Sequence, residues 1–348
     1  MCSMSVVERD AGKSTHVLRN LQIGTDSKQV RGCALGTTAS RLHGVYCEVM
    51  PPIPPPRRDG FTISTPVPLY WAEYGDPETP ALLLLHGGPG ASHDYLLPQM
   101  LELAREHRVV TYDQRGGGRS RHDDDRTPVT WQDQVADVAR VATELGVAPL
   151  DIVGYSWGAL LALLYSVEAQ ACRVVPAPSR LALLDPAPVT RAYRNAFEQE
   201  FAHRQASAEI AALRDELNTS GLRLRDPEAH RQRMFELSVA GYFADPHRAH
   251  DLTPFRVTGR VQQSIWTSLG DFDLLPRLRD VHLPAFVVHG RQDPIPLASS
   301  EAVAHGLGVK LLVLEDCGHV PYVEQAAQLF PPLLAFLRGP AVPLPVVK

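Results

Sequence analysis

The sequence predicts an α/β protein in which a mostly parallel sheet is covered by helices on both of its faces. Short, nearly unbroken apolar runs recur along the chain, and runs of this length suit the buried central strands of such a sheet. Stretches with helical spacing lie between them, and this alternation indicates crossover helices. The predicted central strands are residues 81–85, 109–112, 150–153, 181–184, 285–288 and 311–314.

The remaining elements follow from local signals. Thr130 is a predicted N-cap, because valines at helical spacing follow it until Gly146 ends the pattern. Further helices are predicted at 159–167 and 322–337. Two strands that pair as a hairpin are predicted ahead of the central sheet, at 61–64 and 69–74.

A long insertion divides the predicted sheet. Residues 188–273 contain no strand-like run, only charged and amphipathic stretches, so we predict a helical cap domain there. The α/β core is then formed by 57–187 and 274–340. Residues 1–56 lack periodicity and end in a polyproline stretch, which favours a flexible N-terminal extension. The acidic run 123–125 is interpreted as a solvated loop.

Composition excludes several classes of protein. The 348 residues are 44% apolar and 21% charged, and their net charge of -5 argues against a nucleic-acid-binding surface. No stretch reaches the roughly 20 apolar residues of a membrane span, and the N-terminus shows no apolar core of a signal peptide. Scattered cysteines without metal-binding spacing predict reduced thiols and a cytoplasmic protein. They are Cys2, Cys33, Cys47, Cys172 and Cys317.

The strongest chemical signal is a G-x-S-x-G pentapeptide centred on Ser156. A predicted strand precedes it and a predicted helix follows it, which is the context of a nucleophile elbow. So tight a turn strains the serine backbone and leaves room only for glycine at positions 154 and 158. We therefore predict that Ser156 is a nucleophile.

A serine nucleophile needs a base and an acid that orients the base. His319 follows the strand at 311–314, and Asp293 lies in the loop after the strand at 285–288, so both are predicted at the carboxyl edge of the sheet. Asp271 and Asp273 are rivals for the acid, but no predicted strand delivers them there. The chain order serine, aspartate, histidine is the one expected for this type of site.

A glycine-rich loop, His86-Gly87-Gly88-Pro89-Gly90, follows the first central strand. Such a loop can bring backbone N–H groups close to a substrate oxygen. We predict an oxyanion hole formed by the N–H groups of Gly88 and Trp157. A phosphate-binding loop is the alternative, but the Gly-Lys-Ser/Thr sequence that it requires does not follow.

Three segments together resemble the proline iminopeptidase family of α/β-hydrolases. They are the glycine-rich loop at 86–90, the segment Tyr112-Asp113-Gln114-Arg115-Gly116-Gly117-Gly118-Arg119-Ser120, and the elbow at 154–158. The resemblance covers residues 58–338 and implies an α/β-hydrolase fold and a serine aminopeptidase that releases N-terminal proline. It also implies acidic cap residues that hold the substrate amine, and the candidates are Glu198, Glu200 and Glu236. We expect the segment at 113–115 to support the active-site loops without taking part in catalysis.

The predicted reaction is acyl transfer to Ser156, which requires neither a metal ion nor an organic cofactor. The favoured substrate is a small peptide with N-terminal proline or another small apolar residue. The alternative is a carboxylesterase or lactonase that acts on a small ester with the same triad. A non-catalytic binding protein that retains the pocket is a third hypothesis. The sequence leaves the oligomeric state open.

Overall fold

The computed structural model describes residues 53–121, 127–171 and 173–339, which belong to one compact unit that spans residues 49–348. Most of the predicted N-terminal extension, the acidic run 123–125 and four of the five cysteines lie outside the described residues. Cys317 is buried and forms no disulfide.

Eight strands form a single sheet in the order β1-β2-β4-β3-β5-β6-β7-β8. All neighbours from β4 to β8 in this order are parallel, whereas β1 and β2 run antiparallel at one edge. The α/β-hydrolase fold class predicted from the sequence is confirmed. The strands are β1 (Arg58–Phe61), β2 (Tyr70–Tyr74), β3 (Ala81–Leu85), β4 (Arg108–Tyr112), β5 (Leu150–Tyr155), β6 (Pro178–Leu184), β7 (Ala285–Gly290) and β8 (Leu311–Leu314).

The helices pack on both faces of this sheet and produce two large apolar clusters, one on each side. Alternate residues of a strand point to opposite faces, so Leu83 and Leu85 of β3 enter one cluster and Leu82 and Leu84 enter the other. The helices are α1 (Trp131–Glu144), α2 (Trp157–Gln170), α3 (Arg191–Gln205), α4 (Ala208–Thr219), α5 (Leu222–Arg225), α6 (Pro227–Val239), α7 (Gly259–Leu269), α8 (Leu275–Leu278), α9 (Leu297–Leu307), α10 (Pro321–Glu324) and α11 (Ala326–Arg338).

The predicted N-cap of α1 is formed as expected. The Thr130 side chain accepts a hydrogen bond from the backbone N–H of Asp133, and the Asp133 carboxylate accepts one from the backbone of Thr130. This reciprocal pair satisfies two donors that the helix end would otherwise leave unpaired.

Most predicted elements differ from the structure by a few residues at their ends, and local contacts or backbone angles explain two of these differences. The strand predicted at 61–64 ends at Phe61, because the N–H groups of Ile63 and Ser64 bind the Glu144 carboxylate instead of a neighbouring strand. The helix predicted at 322–337 is broken at Gln325, whose backbone has φ −133° and ψ 40° and separates α10 from α11.

The segment between β6 and β7 carries helices α3 to α8 and two short 3-10 helices at Ala240–Tyr242 and Pro246–Asp251. Apart from an isolated bridge between Thr190 and Asp273, its described residues form no strand. The boundaries of the cap at 188 and 273, and its standing as a separate domain, stay a prediction. None of the helices among the described residues combines the length and the apolar character needed to cross a bilayer.

Candidate active site

Ser156 lies at the turn between β5 and α2 with a left-handed φ of 53°. A Cβ at position 154 would lie 2.5 Å from the Gly158 carbonyl oxygen, and one at position 158 would lie closer still to the Leu85 carbonyl oxygen, distances that real Cβ atoms essentially never show. Only glycine fits at either position. The turn therefore holds the Ser156 hydroxyl at the carboxyl edge of the sheet, as expected of a nucleophile elbow.

The structure brings His319 and Asp293 to this hydroxyl from two other loops. His319 Nε2 lies 2.9 Å from Ser156 Oγ, and His319 Nδ1 lies 2.7 Å from Asp293 Oδ2. Because a carboxylate accepts hydrogen bonds, Nδ1 carries the proton and Nε2 is free to accept the one on the serine hydroxyl. This is the geometry required to pass a proton from serine to histidine.

The Asp293 carboxylate is held as an anion although it is buried. Burial by itself would raise its pKa, but the interaction with His319 and the hydrogen bonds from His319 Nδ1 and from the Ile295 N–H hold the pKa below its usual range. A charged carboxylate beside Nδ1 stabilises the imidazolium that forms when His319 takes a proton.

Bonds to the inserted segment fix the loop that carries His319. The His319 N–H donates to the Tyr242 carbonyl at 2.7 Å, and the buried Glu324 carboxyl accepts the N–H groups of Gly318 and Ala244 at 2.9 and 2.7 Å. The Tyr155 hydroxyl donates to the His319 carbonyl at 2.8 Å. His319 is therefore positioned jointly by the core and by residues 242–244.

The glycine-rich loop is locked by a buried histidine. Gln114 donates its N–H to His86 Nε2, so the proton of His86 is on Nδ1, which donates to the Gly87 carbonyl at 2.8 Å. That carbonyl and the Gly88 N–H belong to one planar peptide. His86 thus sets the direction of the Gly88 N–H, one of the two predicted oxyanion donors.

Gln114 ties this loop to the elbow. Its amide nitrogen donates to the His86 carbonyl, and its amide oxygen accepts the indole N–H of Trp157 at 2.9 Å. Gly88 and Trp157 both line the cavity above Ser156. Their role as oxyanion donors stays a prediction, but the structure places both beside Ser156, and the hydrogen bonds of Gln114 connect the glycine-rich loop to the start of α2.

A cavity of about 510 Å³ lies over the three side chains. Its walls are mainly apolar and include many aromatic side chains. Two pairs of rings pack closely, Phe201 with Tyr242 at 4.4 Å and Tyr95 with Phe255 at 4.3 Å between centroids. The inserted segment supplies most of this lining, with Phe197, Phe201, Phe235, Tyr242, Phe255 and Trp266. The site accepts an apolar group next to the Ser156 hydroxyl.

Comparison with known proteins gives the family. Residues 82–331 match the profile of the alpha/beta hydrolase family. The chain belongs to this family. A proline iminopeptidase of Lactobacillus delbrueckii subsp. bulgaricus is 29% identical over 263 residues, which cover 71% of this chain and 86% of that relative.

Solved structures show the same fold. A proline iminopeptidase-related protein of Thermus thermophilus aligns with a TM-score of 0.61 and 24% identity, over 80% of this chain and 98% of its own. The enol-lactonase of Burkholderia xenovorans aligns with a TM-score of 0.55 and 20% identity, over 80% and 100%. Because proteins with names as different as these share the alpha/beta hydrolase fold, the fold does not decide the substrate.

The three predicted amine anchors do not converge in this alpha/beta hydrolase. Of Glu198, Glu200 and Glu236, only Glu198 lines the cavity. Residues 198 and 200 are two apart on α3 and point about 200° apart around the helix, so one helix cannot aim both at the same space. On α6 the cavity is lined by Phe235 and Ser238, and residue 236 is turned away.

Each of the three glutamates is paired with an arginine on its own helix. Glu198 accepts from Arg194 at 2.6 Å, Glu200 from Arg204 at 2.7 Å and Glu236 from Arg233 at 2.7 Å. Glu200 and Glu236 bind these partners outside the cavity lining, so the geometry does not favour them as amine anchors, and that role stays a prediction.

The segment at 113–115 supports the loops, as expected. Asp113 is buried and accepts the backbone N–H groups of His93 and Arg119, and Arg115 forms two hydrogen bonds with Asp137 on α1. The sequence signal that could have identified Gln114 as part of the site is its position between these two paired charges.

The dependence of the protein's stability on pH tests whether the buried His86 that holds the glycine-rich loop is neutral. Burial lowers the pKa of His86 to about 4, whereas the unfolded chain protonates it near 6.5. Its contribution to the free energy of unfolding is complete above pH 6.5 and is lost as pH falls toward 4, by about 3 kcal/mol. We expect the stability advantage of the wild type over His86→Asn, measured by urea unfolding, to shrink by this amount from pH 7 to 4. A pH-independent difference would contradict the buried neutral imidazole.

Proposed function

We propose that this chain is a serine hydrolase that cleaves small substrates through an acyl-enzyme on Ser156. The observation that carries the proposal is the chain of hydrogen bonds from Ser156 Oγ to His319 Nε2 and from His319 Nδ1 to Asp293, under an apolar cavity. A strained serine, a neutral histidine and a buried carboxylate in this order are the parts that acyl transfer requires.

The geometry supports the following sequence of steps. Ser156 Oγ attacks the substrate carbonyl carbon while His319 Nε2 takes the hydroxyl proton, and Asp293 stabilises the imidazolium. The N–H groups of Gly88 and Trp157 hold the oxyanion, and loss of one such donor typically costs about 3–4 kcal/mol of transition-state stabilisation. His319 then gives its proton to the leaving group, and water releases the acyl group by the same route.

The relatives support an aminopeptidase that releases N-terminal proline or another small apolar residue. The Lactobacillus relative of that name aligns over 86% of its length. An apolar, aromatic cavity suits the ring of proline. A peptidase of this type also needs an anion for the free substrate amine, and Glu198 is the one candidate that lines the cavity among the described residues.

One observation favours the second candidate, an esterase or lactonase. The Glu198 carboxylate is already paired with Arg194, whose guanidinium also lies 3.9 Å from the Trp266 ring centroid. A cation beside this carboxylate repels an ammonium group. An uncharged ester needs no such anchor, so the cavity accepts it without rearrangement of this ion pair.

Labelling with a covalent probe tests the serine hydrolase proposal, and a substrate panel then separates its two candidate activities. We expect purified protein to react with a fluorophosphonate probe, and expect labelling to be lost in Ser156→Ala but retained in Ser220→Ala, an exposed serine outside the cavity lining. Proline and alanine naphthylamides are compared with acetate and butyrate esters. Turnover of the unblocked amides supports the peptidase, and turnover of esters alone supports the second candidate. No labelling of the wild type would refute the hydrolase and favour a non-catalytic binding protein.

We also propose a cytoplasmic location, because the cysteines are scattered along the chain without metal-binding spacing, which predicts reduced thiols. Of these, Cys317 is buried without a disulfide.

A further inference from the structure

Asp185 is a buried carboxyl group that the reaction described above does not use. It directly follows β6, is fully buried and has a left-handed φ of 42°. The backbone around it is bonded to the elbow, because the Ser156 N–H donates to the Leu184 carbonyl and the Ala187 N–H donates to the Ser156 carbonyl. A strained acidic residue therefore lies in a loop that contacts the nucleophile.

Asp185 forms a tight cluster with His289 and Asp293, in which one polar side-chain atom of each residue lies within 4.8 Å of the other two. His289 Nδ1 is 3.7 Å from Asp185 Oδ1 and 3.9 Å from Asp293 Oδ2. His289 Nε2 donates to the Ile295 carbonyl, and its Nδ1 lies 2.9 Å from the Ser300 hydroxyl. Burial lowers the pKa of His289, so this imidazole is neutral and Nδ1 accepts from Ser300. It supplies no positive charge to the cluster.

Among the described residues, the other titratable side chains around Asp185 do not supply a positive charge either. Those that interact with it electrostatically, besides Asp293, are Tyr155, Cys317, Tyr322 and Glu324, none of which is a cation. Two carboxylates this close in a buried site cannot both be ionised, because each raises the cost of charging the other.

Hydrogen bonding decides which of the two carboxyl groups keeps the proton. Asp293 accepts from His319 Nδ1 and from the Ile295 N–H, both at 2.7 Å. Asp185 Oδ1 accepts only the Gly290 N–H, at 2.8 Å, and Oδ2 has no donor among the described residues. Donors favour the charged form, so the anion is Asp293 and the acid is Asp185.

We propose that Asp185 is a protonated carboxylic acid whose Oδ2–H donates a hydrogen bond to Asp293, which makes it a positioning residue for the proposed catalytic pair. The proposal rests on the proposed function for its kinetic consequence, but not for the protonation itself. The hydrogen bond holds the Asp293 carboxylate in position toward His319. Because the carboxylate then shares its negative charge with Asp185, it makes the imidazole less basic than an unshared carboxylate would.

Infrared spectroscopy tests the proton directly and without a substrate. A protonated carboxylic acid has a carbonyl stretch that a carboxylate lacks. We expect this band in the wild type at pH 7 and its loss in Asp185→Asn, with no loss in Asp280→Asn, the same change at an exposed position. Absence of a band that depends on Asp185 would overturn the proposal.

The pH dependence of fluorophosphonate inactivation tests the role. Asparagine retains a neutral donor and tolerates a left-handed φ. Asp185→Asn should therefore react with the probe within about threefold of the wild-type rate. The acid limb of its pH profile, where the rate falls as pH decreases, should not move. Glycine accepts this φ and removes the donor, so Asp185→Gly should react roughly tenfold to a hundredfold more slowly. Its acid limb should move to higher pH, because an unshared Asp293 charge makes His319 more basic.

A shift of the acid limb to lower pH in Asp185→Asn would show that Asp185 is ionised in the wild type. If Asp185 were an anion, Asp185→Asn would remove a negative charge near His319 and move the acid limb to lower pH by about one unit, which would overturn the proposal. Thermal unfolding of each variant establishes that it is folded. A wild type that shows the infrared band but does not react with the probe would refute the proposed function and leave the protonation of Asp185 standing.

Discussion

Replacement of Asp293 by asparagine is expected to lower kcat by roughly 10⁴-fold without unfolding the protein. The Ile295 N–H lies 2.7 Å from Asp293 Oδ1 and needs an oxygen acceptor. The single oxygen of an asparagine would therefore face Ile295, and its NH₂ group would face His319. The imidazole would then carry its proton on Nε2 and could not accept the one from Ser156. Turnover of the best substrate from the panel, and the rate of fluorophosphonate labelling, measure the effect.

The matched control is Asp273→Asn, which makes the same change at the rival acid. Asp273 is exposed and its Oδ1 caps the N–H of Leu275, so we expect kcat within about twofold of the wild type. A large loss in Asp273→Asn, or near-normal activity in Asp293→Asn, would show that Asp293 does not orient the base.

Gly158→Ala is expected to destabilise the protein by about 3 kcal/mol and to remove most of its activity. A Cβ at residue 158 would clash with the carbonyl oxygens of Leu85 and His86. Relief of this clash must push α2 away from the end of β3, which separates Ser156 from the glycine-rich loop. Urea unfolding measures the loss of stability, and probe labelling of the folded fraction measures the loss of reactivity.

Gly259→Ala provides the control for this substitution. Gly259 is the first residue of α7, and nothing lies within 4 Å of the position that its Cβ would take. Alanine also has the higher helix propensity, so we expect unchanged activity and equal or slightly greater stability. A Gly158→Ala variant as stable and reactive as Gly259→Ala would show that the close contact between α2 and β3 does not constrain the elbow.

The meeting of Ser156, His319 and Asp293 could be predicted from sequence because each follows a recognisable strand, and their catalytic roles stay a prediction. In a parallel sheet the carboxyl ends of all strands lie at one edge, so Ser156, Asp293 and His319 were expected to meet although they are far apart in the chain. The apolar runs were long enough to place these strands within a few residues. Asp185 also follows a strand, but it was not singled out, because its role depends on a buried environment that the sequence does not display.

The lining of the cavity could not be predicted in the same way. Glu198, Glu200 and Glu236 lie on helices of the insertion, α3 and α6, whose rotation relative to the site depends on tertiary packing. A one-residue difference on α6 decides that Phe235 lines the cavity and Glu236 pairs with Arg233. Each of the three glutamates has an arginine three or four residues away, so helical spacing did not distinguish Glu198, which lines the cavity, from the other two.

The contact between residues 242–244 and the loop of His319 has a consequence for how substrates enter. The Tyr242 carbonyl and the Ala244 N–H are fastened to the loop that presents the imidazole. A lid that swung open at this point would release the imidazole from its alignment and stop proton transfer. We therefore expect residues 242–244 to stay bonded to this loop while a substrate enters or leaves the cavity.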